Sequence, residues 1–344
     1  MYYKAILCFL FITLVLVTSS NPSLYESAIQ GIKSGLCKFK ECCHEDDGSE
    51  FIRYGLGISQ LERDIRNKVH GQPLITEPII HSLTAHMKDP NPPRPLVMYF
   101  SGWTGTGKTY VAHMIARNLY KLGMDSNFVK YISSSFHFPT RIKSDLEIDV
   151  HRKNLRDMIR DTISRCERSL IILDELDKLP AGVVDVLQPM LDYVESVDGI
   201  KYNKAIFIFL TNTGATRLNA LSYKMFAEGK ERNDLKSKDI EELLIAESYN
   251  EPGGLRESSV LKRYSIGVFV PFLPLERKHV KLCIRDILKR SYPKQRDSDT
   301  IIEEITDEMT YFPDELQVYS KSGCKGVYEK VVNQIGPPRR KDEL

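Results

Sequence analysis

The string Gly102-Trp103-Thr104-Gly105-Thr106-Gly107-Lys108-Thr109 sets glycines, a lysine and a hydroxyl at a spacing that suits phosphate. Glycines let backbone N–H groups close on an anion where a helix begins. Lys108 is then expected to reach the outer phosphates of a nucleoside triphosphate, and the Thr109 hydroxyl to bind Mg²⁺. An accidental Gly/Thr-rich turn would lack the strand before it and the helix after it, and both are readable here. A second string, Leu170-Ile171-Ile172-Leu173-Asp174-Glu175, is an apolar strand ending in two carboxylates. Asp174 suits the Mg²⁺ shell, through water, and Glu175 suits polarising an attacking water. Alone, the Asp-Glu pair could equally cap the next helix; a phosphate loop upstream favours the chemical role. Third, the apolar run 205–210 ends at Thr211-Asn212. Asn212 at a strand tip can reach a terminal phosphate or its water, and the plain alternative is a turn-capping asparagine.

These residues need a scaffold, and the pattern supplies one. Apolar runs at 96–100, 128–132, 170–173, 205–210 and 267–272 alternate with helical spacing at 108–120, 148–166, 183–193 and 241–247. Such alternation predicts an α/β fold, a parallel sheet flanked by helices on both faces. Upstream, helical spacing over 58–87 is broken at His70-Gly71-Gln72-Pro73, and the proline-rich 89–95 is a rigid lead-in. The charged stretch 224–238 reads as a mobile connection, and beyond 275 the pattern turns wholly helical (278–290, 301–309, 325–333). The expected organisation is a large nucleotide-binding domain over 58–274 and a small C-terminal helical lid over 275–336. The chain is 42% hydrophobic and 27% charged, enough to form a core, which excludes global disorder. A net charge of +2 gives no reason to invoke nucleic acid.

The ends carry addresses. Lys4 precedes an apolar run, 5–17, that closes in Thr18-Ser19-Ser20. That run falls short of the ~18 residues of a membrane span and reads as a cleavable signal peptide over 1–20, an uncleaved anchor being the alternative. The tail, 337–344, ends in Lys341-Asp342-Glu343-Leu344, a retrieval signal of the endoplasmic reticulum. A lumenal protein needs both signals. Its oxidising surroundings permit disulfides among Cys37, Cys42, Cys43, Cys166, Cys283 and Cys324, in a connectivity sequence cannot fix. Three of these lie in a tether, 21–57, that lacks periodic apolar pattern. No paired CxxC motifs support zinc.

The chain resembles the torsins, lumenal AAA+ ATPases related to the second ring of Clp/HSP100 unfoldases. The matching pieces are Gly105-Thr106-Gly107-Lys108, His137-Phe138-Pro139, Asp174-Glu175-Leu176-Asp177-Lys178 and Val270-Pro271-Phe272-Leu273-Pro274-Leu275-Glu276. Glu308-Met309-Thr310, Phe312-Pro313 and Gly323-Cys324-Lys325 complete them, in order, over most of 35–335. The resemblance implies ATP with Mg²⁺ as ligands, Asn212 as the first nucleotide sensor and Lys325 as the second. It also implies a Cys283–Cys324 bond, and a bond from Cys43 or Cys42 to Cys166 that anchors the tether. Trp103 departs from the family's usual proline, Thr109 from its usual asparagine, and no glycosylation sequon is present.

One absence shapes the expected mechanism. Where Clp-type ATPases place an arginine for the neighbouring subunit's phosphate, counting back from Phe272-Leu273-Pro274-Leu275 reaches Ser265. A different register would bring Arg263 or Arg256 into use. Such an arginine is worth ~10³–10⁵ in rate. The resemblance implies instead a membrane-anchored partner whose lumenal domain donates it, with a remodelling role at the endoplasmic reticulum and nuclear envelope. It leaves room for a homo-oligomer and for peripheral membrane association. The segment 133–144 carries no aromatic-glycine pore motif, and Phe136 and Phe138 are expected in the core. The rival readings are a self-sufficient homohexameric unfoldase and a binding module that ATP merely switches.

Overall fold

The computed structural model describes residues 41, 43, 56–138, 145–235, 237–250, 258, 260, 265–295 and 298–338. The chain divides into two compact units, Met1–Ile52 and Arg53–Leu344. Only Glu41 and Cys43 of the first are described, and Cys43 is disulfide-bonded. The signal peptide, most of the tether and the tail from 339 onward lie outside the described residues. Among the described residues no helix is long and apolar enough to cross a membrane.

The second unit opens with two helices, α1 (Leu56–Lys68) and α2 (Thr76–Lys88). β1 (Leu96–Gly102) follows and leads into α3 (Lys108–Leu119). β2 (Val129–Ser133), α4 (Asp145–Arg165), β3 (Leu170–Asp174) and β4 (Ile206–Thr211) come next. Then follow α5 (Ala215–Ala227), α6 (Ser237–Asn250) and β5 (Val268–Phe272). Among the described residues five strands form one parallel sheet, in the order β2-β3-β4-β1-β5. Every residue of β1 and β4 is buried. Continuous burial, rather than alternation, is what central strands covered on both faces require. The main core joins alternate residues of β1, β3 and β4 to Leu155, Ile159 and Ile163 of α4.

Beyond β5 the chain builds a smaller helical domain from α7 (Arg277–Ser291), α8 (Asp299–Asp307) and α9 (Val327–Ile335). Their apolar stripes form a separate core containing Val280, Ile284, Ile305 and Val331. Glu276 and His279 cap the start of α7 reciprocally, and the Ser298 hydroxyl accepts from the Ile301 N–H at the start of α8.

Four expectations are corrected. The predicted helix over 183–193 is two short turns, Val184–Leu187 and Gln188–Leu191, broken at Pro189. Val183, Val184, Leu187 and Met190 are all buried, so core demand mimicked a long helical stripe. Of the stretch 224–238, expected as a mobile connection, the first residues finish α5 and Arg232 makes an ion pair with Glu276. The C-terminal region is not wholly helical, because β6 (Tyr311–Phe312) and β7 (Tyr319–Ser320) pair antiparallel within it. Phe138 is buried as expected, but Phe136 is 83% exposed. Phe136 lies in the turn Ser134–His137 and Phe138 just after it in extended conformation, so the two rings point to different sides.

Candidate nucleotide site

In a parallel sheet the strand ends at one edge collect the loops that bind ligands. Here Ser101 of β1 pairs with Thr211 of β4, and Ser133 of β2 with Asp174 of β3. The register therefore brings the phosphate loop, Asp174 and Asn212 to the same edge. A cavity of about 720 Å³ opens there, lined by Lys108, Thr109, Asp174, Glu175, Asn212 and Lys325 among others.

Lys108 is buried at the first turn of α3. Its Nζ donates to the carbonyl oxygens of Gly102 (2.6 Å) and Trp103 (2.9 Å) and to Asn212 Oδ1 (3.1 Å). All three acceptors are uncharged. Burial consequently pushes the ammonium down to about 8, against the pull of Asp174 and Asp177. An anion is what such a cation lacks, so the loop fits the phosphates of ATP. Thr109 Oγ1 donates to Asp174 Oδ2 at 3.2 Å. A hydroxyl and a carboxylate placed together are hard oxygen donors that fit Mg²⁺.

Glu175 stands one residue on, in the left-handed region at φ 57. Its N–H donates to Asp174 Oδ1 at 2.8 Å, and its carboxylate accepts from Ser133 Oγ at 3.2 Å and pairs with Lys178. Burial works to raise this carboxyl, but the Lys178, Ser135 and Ser133 hydrogen bonds outweigh it and hold the group below its ordinary value. It is therefore ionised throughout the neutral range, as a group that orients water must be. A non-glycine residue in this conformation costs about 1–3 kcal/mol, a strain that persists at functional sites.

Several contributors escaped the sequence reading. Asp177 accepts from the Asn212 backbone N–H at 3.0 Å and from Thr211 Oγ1 at 3.1 Å. That fixes Asn212, whose amide turns its oxygen to Lys108. Tyr131 donates its hydroxyl to Asp174 Oδ2 at 2.6 Å. Gln72, read only as part of a helix break, is buried. Its Nε2 donates to the carbonyl oxygens of Thr106 (3.1 Å) and Leu273 (2.9 Å), and its Oε1 accepts from the Leu273 N–H (2.8 Å). The amide thus braces the phosphate loop against the exit of β5. Val69, His70, Asp286 and Ile287 also line the cavity, and His70 Nε2 lies 2.7 Å from Asp286 Oδ2. A polar Gln between two amphipathic helices was the one signal available.

The helical domain closes on the loop directly. Cys324 donates its N–H to the Gly105 carbonyl oxygen at 3.0 Å, and the Trp103 indole donates to the Lys321 carbonyl oxygen at 2.7 Å. Cys324 is bonded to Cys283 of α7. Cys166 is also disulfide-bonded. At Gly105, φ is +71 and a Cβ would collide with the Ser322 carbonyl. Gly105→Ala is therefore expected to weaken nucleotide binding by about tenfold or more, since both the backbone conformation and the contact with 322–324 must give. Equal affinities of the variant and native chains in an ATP titration would count against this close approach.

Comparison with known proteins identifies the family. The family model described as Torsin matches residues 37–173, and that described as Torsin-1A, C-terminal domain, matches residues 275–332. A torsin-like protein of Caenorhabditis elegans is 35% identical over 315 residues, 91% of this chain and 86% of its own. The chain belongs to the torsin family. Another torsin-like protein, of Drosophila melanogaster, is 36% identical over 87% of this torsin and 86% of its own chain. Torsin-3A of Rattus norvegicus is 32% identical over 91% and 77%. In fold, the torsin matches the S. cerevisiae Hsp104–ADP complex at a TM-score of 0.56 and 16% identity, over 87% of its length. It spans 48% of that Hsp104 chain. The fold is that of an AAA+ core with a C-terminal helical domain, and membership of the family implies ATP binding and hydrolysis.

Proposed function

We propose that this torsin is an ATPase of the endoplasmic reticulum and nuclear envelope lumen that turns over ATP·Mg²⁺ when a membrane-anchored partner donates an arginine. The observation that supports it most is Lys108, a buried cation whose hydrogen-bond acceptors, the Gly102 and Trp103 carbonyls and Asn212 Oδ1, are all uncharged, with the Thr109–Asp174 pair lining the same cavity. In this reading Gly102, Trp103, Thr104, Gly105, Thr106 and Gly107 cradle the phosphates and Lys108 neutralises them. Thr109 and, through water, Asp174 hold Mg²⁺; Glu175 orients the water. Asn212 and Lys325 sense the terminal phosphate. Residues 1–20 are removed, 21–57 form a tether, 58–274 bind nucleotide, 275–336 form the lid and 337–344 return the protein to the lumen. The work is remodelling of membranes or protein complexes. Phe136, exposed beyond β2, favours the self-sufficient unfoldase instead. Turnover with and without a partner separates the two.

Lys108→Ala is expected to weaken ATP binding ~10- to 100-fold, the loss of a charge-assisted contact to phosphate. In the nucleotide-free chain Lys108 titrates at about 8, lowered by burial. Bound phosphate opposes that shift. Binding should therefore take up a proton at alkaline pH, so ATP affinity falls as pH rises through and above about 8 and levels off below it. Titration calorimetry in buffers of different ionisation enthalpy reads both effects. A native chain that binds no ATP, or a Lys108→Ala chain that binds as tightly, overturns the reading.

A further inference from the structure

Arg232 lies in the turn between α5 and α6, within the charged stretch the sequence reading left as a connection. Its guanidinium reaches two distant segments. Nη1 donates to the Gly71 carbonyl oxygen at 2.8 Å, Nε to the Glu276 carboxylate at 2.6 Å, and Nη2 to the Pro274 carbonyl oxygen. The same group stands 5.8 Å from the centroid of the Tyr319 ring. Arg232 and Glu276 side chains are only 14% and 18% exposed. This is not an ordinary surface ion pair, which would be worth little.

Each partner has a place in the nucleotide site. Gly71 lies between His70, which lines the nucleotide cavity, and Gln72, which holds Thr106 of the phosphate loop. Pro274 and Glu276 form the link from β5 into α7. Tyr319, in β7, bridges to Glu276 and donates its hydroxyl to the Ser222 carbonyl oxygen of α5 at 2.9 Å. From β7 the chain runs through Lys321, the acceptor for Trp103, to Lys325. Arg232 itself lines a different cavity, of about 590 Å³, and not the nucleotide one.

We propose that Arg232 is a positioning residue for nucleotide binding, a pin that sets the angle of the helical domain against the sheet. It thereby fixes the span between the phosphate loop and Lys325. The inference rests on the ATP-site reading above. The planar fork of an arginine serves three acceptors on two segments, Gly71 and the 274–276 link, at once. A lysine ammonium keeps the charge opposite Glu276 but cannot span the Gly71 and Pro274 carbonyls together. Conservative replacement therefore separates pin from ion pair.

The test uses Arg232→Lys and Arg232→Ala in the oxidised mature chain. ATP and ADP affinities are read by titration, and the helical domain by the emission of Trp103, the one tryptophan of the chain. Both nucleotides should bind about tenfold more weakly to Arg232→Lys, the loss of hydrogen bonds made by a charged group. Trp103 emission should move to longer wavelength as its bond to the Lys321 carbonyl loosens. The circular dichroism and melting of nucleotide-free Arg232→Lys should stay close to native. Arg232→Ala, if it folds, should show the same changes more strongly. Native affinity and native emission in Arg232→Lys overturn the proposal, as does loss of the native fold in that variant, which would make the residue structural. Failure of the native chain to bind ATP would sink the ATP-site reading itself, whereas native binding unchanged in Arg232→Lys sinks the pin alone.

Discussion

Mixed with the lumenal domain of an arginine-donating partner, the oxidised mature chain is expected to hydrolyse ATP ~10³–10⁵-fold faster than alone. Charge develops on the transferred phosphoryl group as its bond breaks, and a cation placed there in advance costs no reorganisation. Among the described residues the lysines and arginines lining the cavity are Lys68, Lys108, Lys325 and Arg290, the last near the end of α7. The position that the sequence reading assigns to a neighbour-reaching arginine is Ser265. That serine is 2% exposed and donates its N–H to the Val260 carbonyl oxygen at 3.1 Å. A short, buried hydroxyl cannot reach across to another subunit. Arg263 and Arg256, the alternatives in a shifted register, lie outside the described residues. Steady-state phosphate release, with and without the partner and with the partner's arginine changed to alanine, decides the matter. Substantial turnover by the chain alone, indifferent to the partner, would make the self-sufficient unfoldase the better reading.

Glu175→Gln in the activated complex should lower turnover by ~10²–10⁴ while leaving ATP binding nearly intact. Glutamine matches the shape of glutamate and keeps an acceptor for Ser133, but it carries no charge to polarise the water and cannot accept its proton. In the proposed site the ground-state contacts to phosphate come from other residues, so affinity has no reason to fall. The direction of the Glu175 shift adds a check. Its carboxyl is held below the usual value by Lys178 and the two serines, so it stays ionised until the pH drops through that lowered value. The activity it supports is therefore present at neutral pH and lost only on the acid side. The stability of the Glu175–Lys178 pair follows the same sign, present above the unfolded carboxylate value and lost as pH falls through the folded one. Single-turnover kinetics with ATP in excess of its dissociation constant would separate chemistry from binding. Undiminished turnover in Glu175→Gln would remove it from the water-orienting role.

The phosphate end of the site was legible because its chemistry is local. Gly102 to Thr109 is one strand–turn–helix, and its required residue types lie within eight consecutive positions. Asp174 and Asn212 were legible for a related reason. Each follows an apolar run, and the tips of neighbouring parallel strands meet at one edge whatever lies between them. The helical pattern at 183–193 misled because burial of Val183, Val184, Leu187 and Met190 has a helix-like spacing without a helix of that length. Periodicity reports which side chains are buried, and Pro189 carried the countersignal. Charge misled at 224–238, where a run of ionic side chains looked solvated and Arg232 in fact faces Glu276.

By itself the sequence determined the α/β alternation and marked the candidate phosphate loop and the two strand-tip polar positions, all of which depend on neighbours along the chain. The family likeness supplied the Cys283–Cys324 bond, which the structure contains. Only the tertiary structure decided how the far side of the site closes. Gln72 bonds Leu273 across 201 residues, Arg232 bonds Gly71 across 161, and Trp103 bonds Lys321 across 218. Contacts of that separation leave no period in the sequence, because each needs two segments to be brought together by the burial of others before a hydrogen bond can form between them.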